Sequence, residues 1–209
     1  YKNMGKEWLK KVYQEKNSSR LREHYKGWAS EYDKDIKDWG YAYPKQLKKI
    51  LKKVIKINKK SKILDAGCGT GYVAETLKDL KFTNIIGLDY SKEMLKIASA
   101  KKIYRRLICQ SLSKKTNLRS NQFDLLLCTG VLTSGHVGPG AIKELIRLTK
   151  KNGYLILSIS ETIFKKLGFK KELELRKNEL KTKLISKRFI ATPNNDHSAY
   201  SRMYVLVKI

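Results

Sequence analysis

Short apolar runs alternate with amphipathic stretches along most of this chain. From residue 62 onward, the apolar runs predict strands at 62–66, 84–89, 105–109, 122–128, 153–160, 184–191 and 200–208. Between them, apolar residues at helical spacing predict helices over 71–80, 91–101, 139–150 and 168–182. In the third of these helices, Pro139 suits the first turn, and Asn152 with Gly153 is expected to stop it.

The first 60 residues have a helical pattern. One helix face carries apolar and aromatic residues, namely Leu21, Tyr25, Trp28, Ala29 and Tyr32. A loop is predicted from Trp39 to Tyr43, and Pro44 is expected to open a second helix over 45–57.

Alternating strands and helices predict an α/β fold with a doubly wound sheet. The apolar runs 63–66, 85–88 and 125–127 suit parallel strands covered by helices on both faces. The last two strands have only a short connection and must be antiparallel, so we expect seven strands, mostly parallel, with an antiparallel last strand.

A length of 209 residues predicts a single domain with its own core. Within it we expect N-terminal helices over 1–58, a core that holds a cofactor over 59–160, and a C-terminal helix and β-hairpin over 161–209.

Two acidic residues and three glycines mark the first two predicted strands. Asp65 ends the first strand, Gly67, Gly69 and Gly71 follow it, and Asp89 ends the second strand. Glycines let the backbone turn and approach a ligand, and an acid after the second strand binds ribose hydroxyls. Dinucleotide sites prefer a Gly-x-Gly-x-x-Gly spacing, and Asp65 would repel a pyrophosphate. A ligand with an ammonium group fits better, and S-adenosylmethionine is such a ligand, whereas a nicotinamide cofactor is disfavoured.

In an open α/β sheet, the ligand binds outside the carboxyl ends of the parallel strands. The segments expected at this rim are 67–71, 89–91, 110–112, 128–138, 160–161 and 192–199.

These motifs resemble those of class I S-adenosylmethionine-dependent methyltransferases. Further stretches, over 25–44, 87–95 and 130–137, resemble the methyltransferase-like proteins of the Williams–Beuren syndrome chromosomal region. The resemblance covers roughly residues 20–160 and is poor over the last 50. It implies a Rossmann-like fold, an N-terminal helical lid, and methyl transfer that leaves S-adenosylhomocysteine.

The predicted cofactor site combines these motifs. Asp89 is expected to bind the ribose, Tyr90 and Met94 to lie beside the adenine or in the core, and Thr129 to face the methionine part. Ser111 stands where many methyltransferases carry an acid that contacts the adenine amino group. The complete predicted set is Tyr25, Trp28, Tyr32, Asp65, Gly67, Cys68, Gly69, Gly71, Asp89, Tyr90, Ser91, Met94, Ser111, Leu112 and Thr129.

Tyr25, Trp28 and Tyr32 have two interpretations. They form a helix face packed on the domain or a lid whose rings surround the sulfonium, and each interpretation can hold for different residues.

Two histidines fall at the predicted rim, His136 and His197, and His24 is expected on a helix surface. Either rim histidine could act as a general base, because an imidazole titrates near neutral pH, and we predict His136 for this role. The alternative is transfer without a base, by alignment of the nucleophile behind the methyl group. The expected reaction methylates an oxygen or a nitrogen of a small-molecule acceptor.

The charge balance leaves other functions open. The chain has 46 Lys and Arg against 19 Asp and Glu, a net charge of +27, which favours polyanions such as nucleic acid. An RNA or ribonucleoprotein methyltransferase is therefore one alternative, and a non-catalytic module that binds the cofactor is another.

The three cysteines, Cys68, Cys109 and Cys128, lack metal-ligand spacing and are expected to be buried thiols. They favour a reducing compartment, the cytoplasm or the nucleus. No apolar run approaches the roughly 20 residues of a membrane span, and we expect a monomer.

Overall fold

A computed structural model describes residues 8, 10–12, 14–15, 18–133 and 136–209. These residues form one sheet with the strand order β3-β2-β1-β4-β5-β8-β6, and β7 pairs with β8 beside β6. The strands are β1 (Ile63–Ala66), β2 (Ile85–Asp89), β3 (Arg106–Cys109), β4 (Phe123–Leu132), β5 (Thr149–Ser160), β6 (Leu180–Ile185), β7 (Phe189–Ile190) and β8 (Tyr200–Lys208).

Helices lie between the strands and before the first of them. They are α1 (Ser18–Asp38), α2 (Tyr43–Lys53), α3 (Glu75–Asp79), α4 (Lys92–Ala100), α5 (Ala141–Leu148), α6 (Glu161–Phe164) and α7 (Phe169–Leu175). Residues 8, 10–12 and 14 are also helical, residue 15 is not, and the other residues of the predicted helical region before residue 18 lie outside the described residues. None of the helices in the described ranges is long and apolar enough to cross a membrane.

The doubly wound α/β fold is confirmed. β1 pairs in parallel with β2 and β4, β2 with β3, and β4 with β5. β8 runs antiparallel to β5 and to β6, as the short connection before it predicts. The carboxyl ends of β1 to β5 therefore meet at one edge of the sheet.

The sequence prediction is wrong between residues 168 and 191. The predicted helix over 168–182 ends at Leu175, which is 65% exposed and does not continue an apolar face. Arg176 binds Glu172 and Glu179 at the following turn, and the buried Leu180 then pairs with Lys208 in the sheet. The single strand predicted over 184–191 is two strands, β6 and β7, so the described sheet has eight strands rather than seven.

Several helices also end earlier than predicted. α5 stops at Leu148, not at residue 150, because Thr149 is already extended and its hydroxyl donates to the Leu145 carbonyl at 2.8 Å. Lys208 Nζ donates to the carbonyls of Ile146 and Thr149, both at 2.9 Å. α3 covers only part of the predicted 71–80 helix, and α2 covers 43–53 rather than 45–57.

Apolar clusters pack on both faces of the sheet, and a third cluster joins α1 to residues 39–41. Trp28, Ile36 and Trp39 are buried in this third cluster. Of the three cysteines, Cys68 and Cys128 are buried as predicted, but Cys109 is exposed because it ends β3 at the edge of the sheet.

Candidate functional site

A cleft lies at the carboxyl edge of the parallel strands, beneath α1. Its walls come from α1, the glycine loop after β1, the ends of β2 and β4, and the segment after β3. The predicted site residues that line it are Tyr25, Tyr32, Asp65, Gly67, Cys68, Gly69, Asp89, Tyr90, Met94, Ser111, Leu112, Thr129 and His136. Trp28, Gly71 and Ser91 are not part of the wall, and neither are the predicted rim segments 160–161 and 192–199.

The glycine loop adopts a backbone conformation that other residues rarely take. Gly67, Gly69 and Gly71 all have positive φ angles, of 80°, 52° and 81°. The amides of Gly67 and Cys68 both donate to the Leu88 carbonyl, at 2.7 and 3.0 Å, which ties the loop to β2. A Cβ added to Gly69 would meet no atom within 4 Å, so this part of the loop faces open space in the cleft.

Asp89 is buried at the end of β2, and both of its carboxylate oxygens accept backbone hydrogen bonds. Oδ2 accepts from the Gly69 amide and Oδ1 from the Ser91 amide, each at 2.9 Å. Burial raises the pKa of Asp89, and the bonds from Ser91, Gly69 and Tyr90 oppose that effect. Because each carboxylate oxygen has two lone pairs, the group can still accept hydrogen bonds from a ligand.

Asp65 is a second buried carboxylate, 2% exposed, at the end of β1. Burial raises its pKa to about 6; the hydrogen bond from Tyr104 lowers the pKa, and the charge of Asp89 raises it further. The Tyr104 hydroxyl donates to Oδ2 at 2.7 Å. Two carboxylates thus flank the glycine loop, and both would be stabilised by a cationic or hydroxyl-rich ligand.

Residues after β2 and β3 form the far end of the cleft. Met94 is buried, and Tyr90 and Leu112 line the wall beside it. Ser111 is exposed and shares a hydrogen bond with the Ser113 hydroxyl at 2.7 Å. Ser91 is fully buried and caps α4, because its hydroxyl accepts from the Met94 amide at 3.2 Å.

The aromatic residues of α1 divide between the two interpretations. Trp28 is 1% exposed and packs in the cluster beneath α1, and its indole donates to Asp35 at 2.7 Å. Tyr25 and Tyr32 are half-buried and line the cleft. Trp28 therefore packs on the domain, whereas the two tyrosines face the space where a ligand would lie.

His136 lies after β4 and contacts α1 across the cleft. Its Nε2 atom is 2.5 Å from the Tyr25 hydroxyl, and the ring centroids are 5.6 Å apart. Ser134 and Gly135, of the same predicted rim segment, lie outside the described residues. His197 is exposed and does not line the cleft. His24 belongs to α1, and its Nε2 atom lies 3.5 Å from Oε2 of Glu15, which precedes that helix.

A polar network joins α1 to the glycine loop and to α4. The Thr70 hydroxyl donates to Asp33 Oδ1. Lys101 Nζ lies 2.5 Å from Asp33 Oδ2 and 2.7 Å from Glu75 Oε1. This network ties α1 to the glycine loop, to α3 and to the end of α4.

Sequence reasoning missed three aromatic residues of the site. Tyr41 and Tyr72 line the cleft, and Tyr104 lies beneath the glycine loop against Gly71 and Gly87. Tyr41 belongs to the Trp39–Pro44 stretch, whose density of aromatic residues was a usable signal. Tyr72 follows the last glycine, but Tyr104 carries no local signal because its partner, Asp65, is far away in sequence.

Comparison with known proteins identifies the domain type. Residues 64–157 match a family model described as a methyltransferase domain. Methyltransferase-like protein 27 from Homo sapiens is 34% identical over 152 residues, which are 72% of this chain and 61% of that protein. The chain thus spans less than two thirds of the length of this relative.

Solved structures show the same fold at low identity. A Listeria monocytogenes protein assigned provisionally to the class I S-adenosylmethionine-dependent methyltransferases has a TM-score of 0.64 and 18% identity, covering 98% of this chain and 78% of its own. A Thermotoga maritima protein described as a possible histamine N-methyltransferase has a TM-score of 0.58 and 22% identity, with 88% and 96% covered. The fold and the matched family model imply S-adenosylmethionine as the cofactor. Residues 64–157 therefore match a methyltransferase domain, and the chain has the fold of the class I, S-adenosylmethionine-dependent type.

Proposed function

We propose that this protein transfers the methyl group of S-adenosylmethionine to an oxygen or a nitrogen of a small-molecule acceptor. The observation that carries the proposal is the pair of buried carboxylates, Asp65 and Asp89, on either side of a glycine loop that opens into one cleft.

The residues of the cleft fit this cofactor. The Asp89 carboxylate would accept hydrogen bonds from the two ribose hydroxyls. Such charge-assisted hydrogen bonds each contribute about 1.5–3 kcal/mol to binding. Asp65 would lie near the ammonium of the methionine part, while Tyr90, Met94 and Leu112 offer an apolar surface to the adenine. The open space at Gly69 leaves room for the ligand beside the backbone. When bound, S-adenosylmethionine supplies a methyl group on a positively charged sulfur.

We assign α1 the role of a lid within a single domain, with residues 59–160 as the cofactor-binding core and 161–209 as the C-terminal part. Tyr25 and Tyr32 would close the cleft over the cofactor. Rings beside a sulfonium contribute roughly 0.5–2 kcal/mol each. The Asp33 network supports this role, since it links α1 to the glycine loop that the cofactor would contact.

His136 is the proposed general base. It lines the cleft after β4, and its Nε2 atom already holds a hydrogen bond to a hydroxyl group, that of Tyr25. A base within hydrogen-bond reach of the acceptor typically contributes a factor of about 10²–10⁴. The walls of the cleft would also contribute by orienting the acceptor behind the methyl group.

Transfer of a labelled methyl group would test the proposal. The protein is incubated with methyl-labelled S-adenosylmethionine and, separately, with the small-molecule and RNA fractions of a cell extract. We expect label to appear in a small molecule. In His136→Gln, the rate of labelling should fall about 10²-fold or more, while the affinity for S-adenosylhomocysteine stays unchanged. Cofactor binding without transfer to either fraction would instead support the non-catalytic binding module.

A nucleic-acid acceptor is the second candidate, and the solvent face of α2 favours it. Lys45, Lys48, Lys49, Lys52 and Lys53 are all exposed there, and none forms an ion pair within the described part of the chain. The apolar face of this helix is buried in the core, as Leu47 and Ile50 show, so it cannot enter a membrane. RNA retention at low salt that weakens steeply as salt rises, together with label in RNA, would support this candidate.

We also propose that the chain belongs with the methyltransferase-like proteins of the Williams–Beuren region that its motifs resemble. The match to a human methyltransferase-like protein supports this grouping. A cytoplasmic or nuclear location is proposed from the three free cysteines.

A further inference from the structure

The charge of the cleft contrasts with the charge of the whole chain. The chain has 46 Lys and Arg, yet none of the described residues that line the cleft is a lysine or an arginine. The carboxylates in the wall belong to Asp65 and Asp89, which the proposed function assigns to the cofactor. The acceptor side, between α1 and the end of β4, is built from Leu21, Tyr25, Tyr41, Val131, His136 and Val137.

This composition selects the charge of an acceptor. A carboxylate or phosphate would lose its hydration there with no lysine or arginine in the described wall to pair with. The sulfonium would be its cationic neighbour, but that charge disappears on methyl transfer, and burial of an unpaired charge is strongly unfavourable. A protonated amine has no lone pair for the methyl group, and it would lie beside a positively charged sulfur. An uncharged nucleophile avoids both penalties.

The contact between Tyr25 and His136 indicates which uncharged group fits. A phenol hydroxyl lies 2.5 Å from Nε2 of a histidine in the cleft. The Tyr25 ring also packs edge-on to Tyr90, with centroids 6.4 Å apart, and against Tyr32 at 6.3 Å. The phenol side chain of Tyr25 therefore already lies in an aromatic environment, hydrogen-bonded to the proposed base.

We infer that the acceptor is an uncharged small molecule with a hydroxyl on an aromatic or flat apolar frame, and that this hydroxyl replaces the Tyr25 hydroxyl on His136. The inference rests on the proposed function and names its substrate class. In the step, the acceptor oxygen forms the new bond to the methyl carbon, the carbon–sulfur bond breaks and its electron pair stays on sulfur. The hydroxyl proton passes to Nε2 of His136, and the product is a neutral methyl ether.

Four ring-matched probes test the inference by binding rather than by turnover. They are 4-methylphenol, 4-methylbenzoate, 4-methylbenzylamine and 4-methylanisole, and ligand-detected NMR measures each in the presence of S-adenosylhomocysteine. We expect 4-methylphenol to bind at least tenfold more tightly than the benzoate and the amine, because burial of either charge without an opposite charge on the acceptor side is unfavourable. The anisole should bind about threefold to tenfold more weakly than the phenol, because it cannot donate a hydrogen bond.

Tyr25→Phe supplies the sharper comparison. Removal of the competing hydroxyl should tighten 4-methylphenol binding about threefold to tenfold and leave 4-methylanisole unchanged. Tyr154→Phe, a matched loss of a hydroxyl on β5 away from the cleft, should change neither. The circular dichroism spectrum of each variant verifies that it is folded.

The outcomes separate the inference from the function on which it rests. If the wild type does not bind S-adenosylhomocysteine, the proposed function fails, and the inference fails with it. If S-adenosylhomocysteine binds but 4-methylbenzoate binds as tightly as 4-methylphenol, or Tyr25→Phe weakens phenol binding, the inference alone is overturned.

Discussion

Two carboxylates in a low-dielectric cleft make this site unfavourable for the protein without its ligand. Asp65 is almost completely buried, and the described contact to its carboxylate is the hydroxyl of Tyr104. A cationic ligand would offset the free-energy cost of burying this carboxylate. The protein can therefore carry a destabilising residue that serves binding.

Asp65→Asn should stabilise the unliganded protein and weaken its binding of cofactor. The raised pKa means that the folded state binds a proton more readily than the unfolded state, so ionised Asp65 disfavours folding above about pH 6. A rise from 3.8 to about 6 corresponds to roughly 3 kcal/mol. Denaturant unfolding should show a gain up to this size at pH 7.5 that shrinks as the pH falls from 6 toward 4.

Asp79→Asn is the matched control, because Asp79 is an exposed carboxylate at the end of α3. It should leave the unfolding free energy unchanged at either pH. A loss of stability in Asp65→Asn at pH 7.5 would contradict the assigned cost of burying the charge.

Local sequence could predict the residues of the cleft that lie within one motif. Asp65, Gly67 and Asp89 follow from strand ends and glycine spacing, and the structure brings them to one edge. Tyr104 could not be predicted in this way, because its bond to Asp65 depends on how β3 packs beside β2. The role of Asp65, Gly67 and Asp89 in holding the cofactor stays a prediction.

At the scale of elements, a few polar contacts add to the packing of the buried cluster in holding α1 at the site. Tyr25 contacts His136, and Asp33, two turns further along the helix, contacts both Thr70 and Lys101. Lys101 also pairs with Glu75, so a single ammonium joins three elements of the chain.

Lys101→Met should loosen α1 without removing a residue from the wall of the cleft. Met keeps much of the apolar stem but loses the ion pairs with Asp33 and Glu75. Hydrogen exchange of amides in residues 21–38 should become faster, and the affinity for S-adenosylhomocysteine should fall about threefold to tenfold. Lys26→Met is the control, since Lys26 is an exposed residue of α1 that pairs only weakly with Glu23 at 3.9 Å. Unchanged exchange in α1 of Lys101→Met would rule out this network as the restraint.

Element boundaries show where sequence patterns lose information. β1 and β2 were predicted to within one residue because they are buried on both faces and a glycine or an acid marks their end. β4 and β5 each extend four residues beyond the prediction, β4 to Leu132 and β5 back to Thr149. The region after residue 168 was not, because lysines and leucines occur there at a spacing that suits a helix as well as an edge strand. Pairing of Leu180 with Lys208 at the end of the chain decides the outcome, and no local window contains both residues.

For the whole molecule, the dominant property is the net charge of +27. Most of this charge is spread over exposed lysines, whereas the cleft has no lysine or arginine among its described wall residues. Toward a ligand in the cleft, the surface charge therefore acts over long range rather than through direct contacts.

Salt should stabilise this protein. Screening of like charges reduces repulsion in the compact state, since the Debye length falls from about 30 Å at 0.01 M to about 3 Å at 1 M salt. A gain of about 1 kcal/mol corresponds to roughly 2–4 °C in Tm for a chain of this size. Calorimetric scans in 0.02 and 0.5 M sodium chloride measure the difference, and a Tm that falls with salt would contradict a role for charge repulsion.

The most direct test of the central claim is calorimetric titration of S-adenosylmethionine, S-adenosylhomocysteine and NADH into the wild type, Asp89→Ala and the control Asp79→Ala. We predict that both adenosyl ligands bind the wild type and NADH does not. Loss of two hydrogen bonds to the ribose should weaken binding at least about a hundredfold in Asp89→Ala and leave the control unaffected. Absence of adenosyl binding to the folded wild type, or equal affinity in Asp89→Ala, would contradict the account.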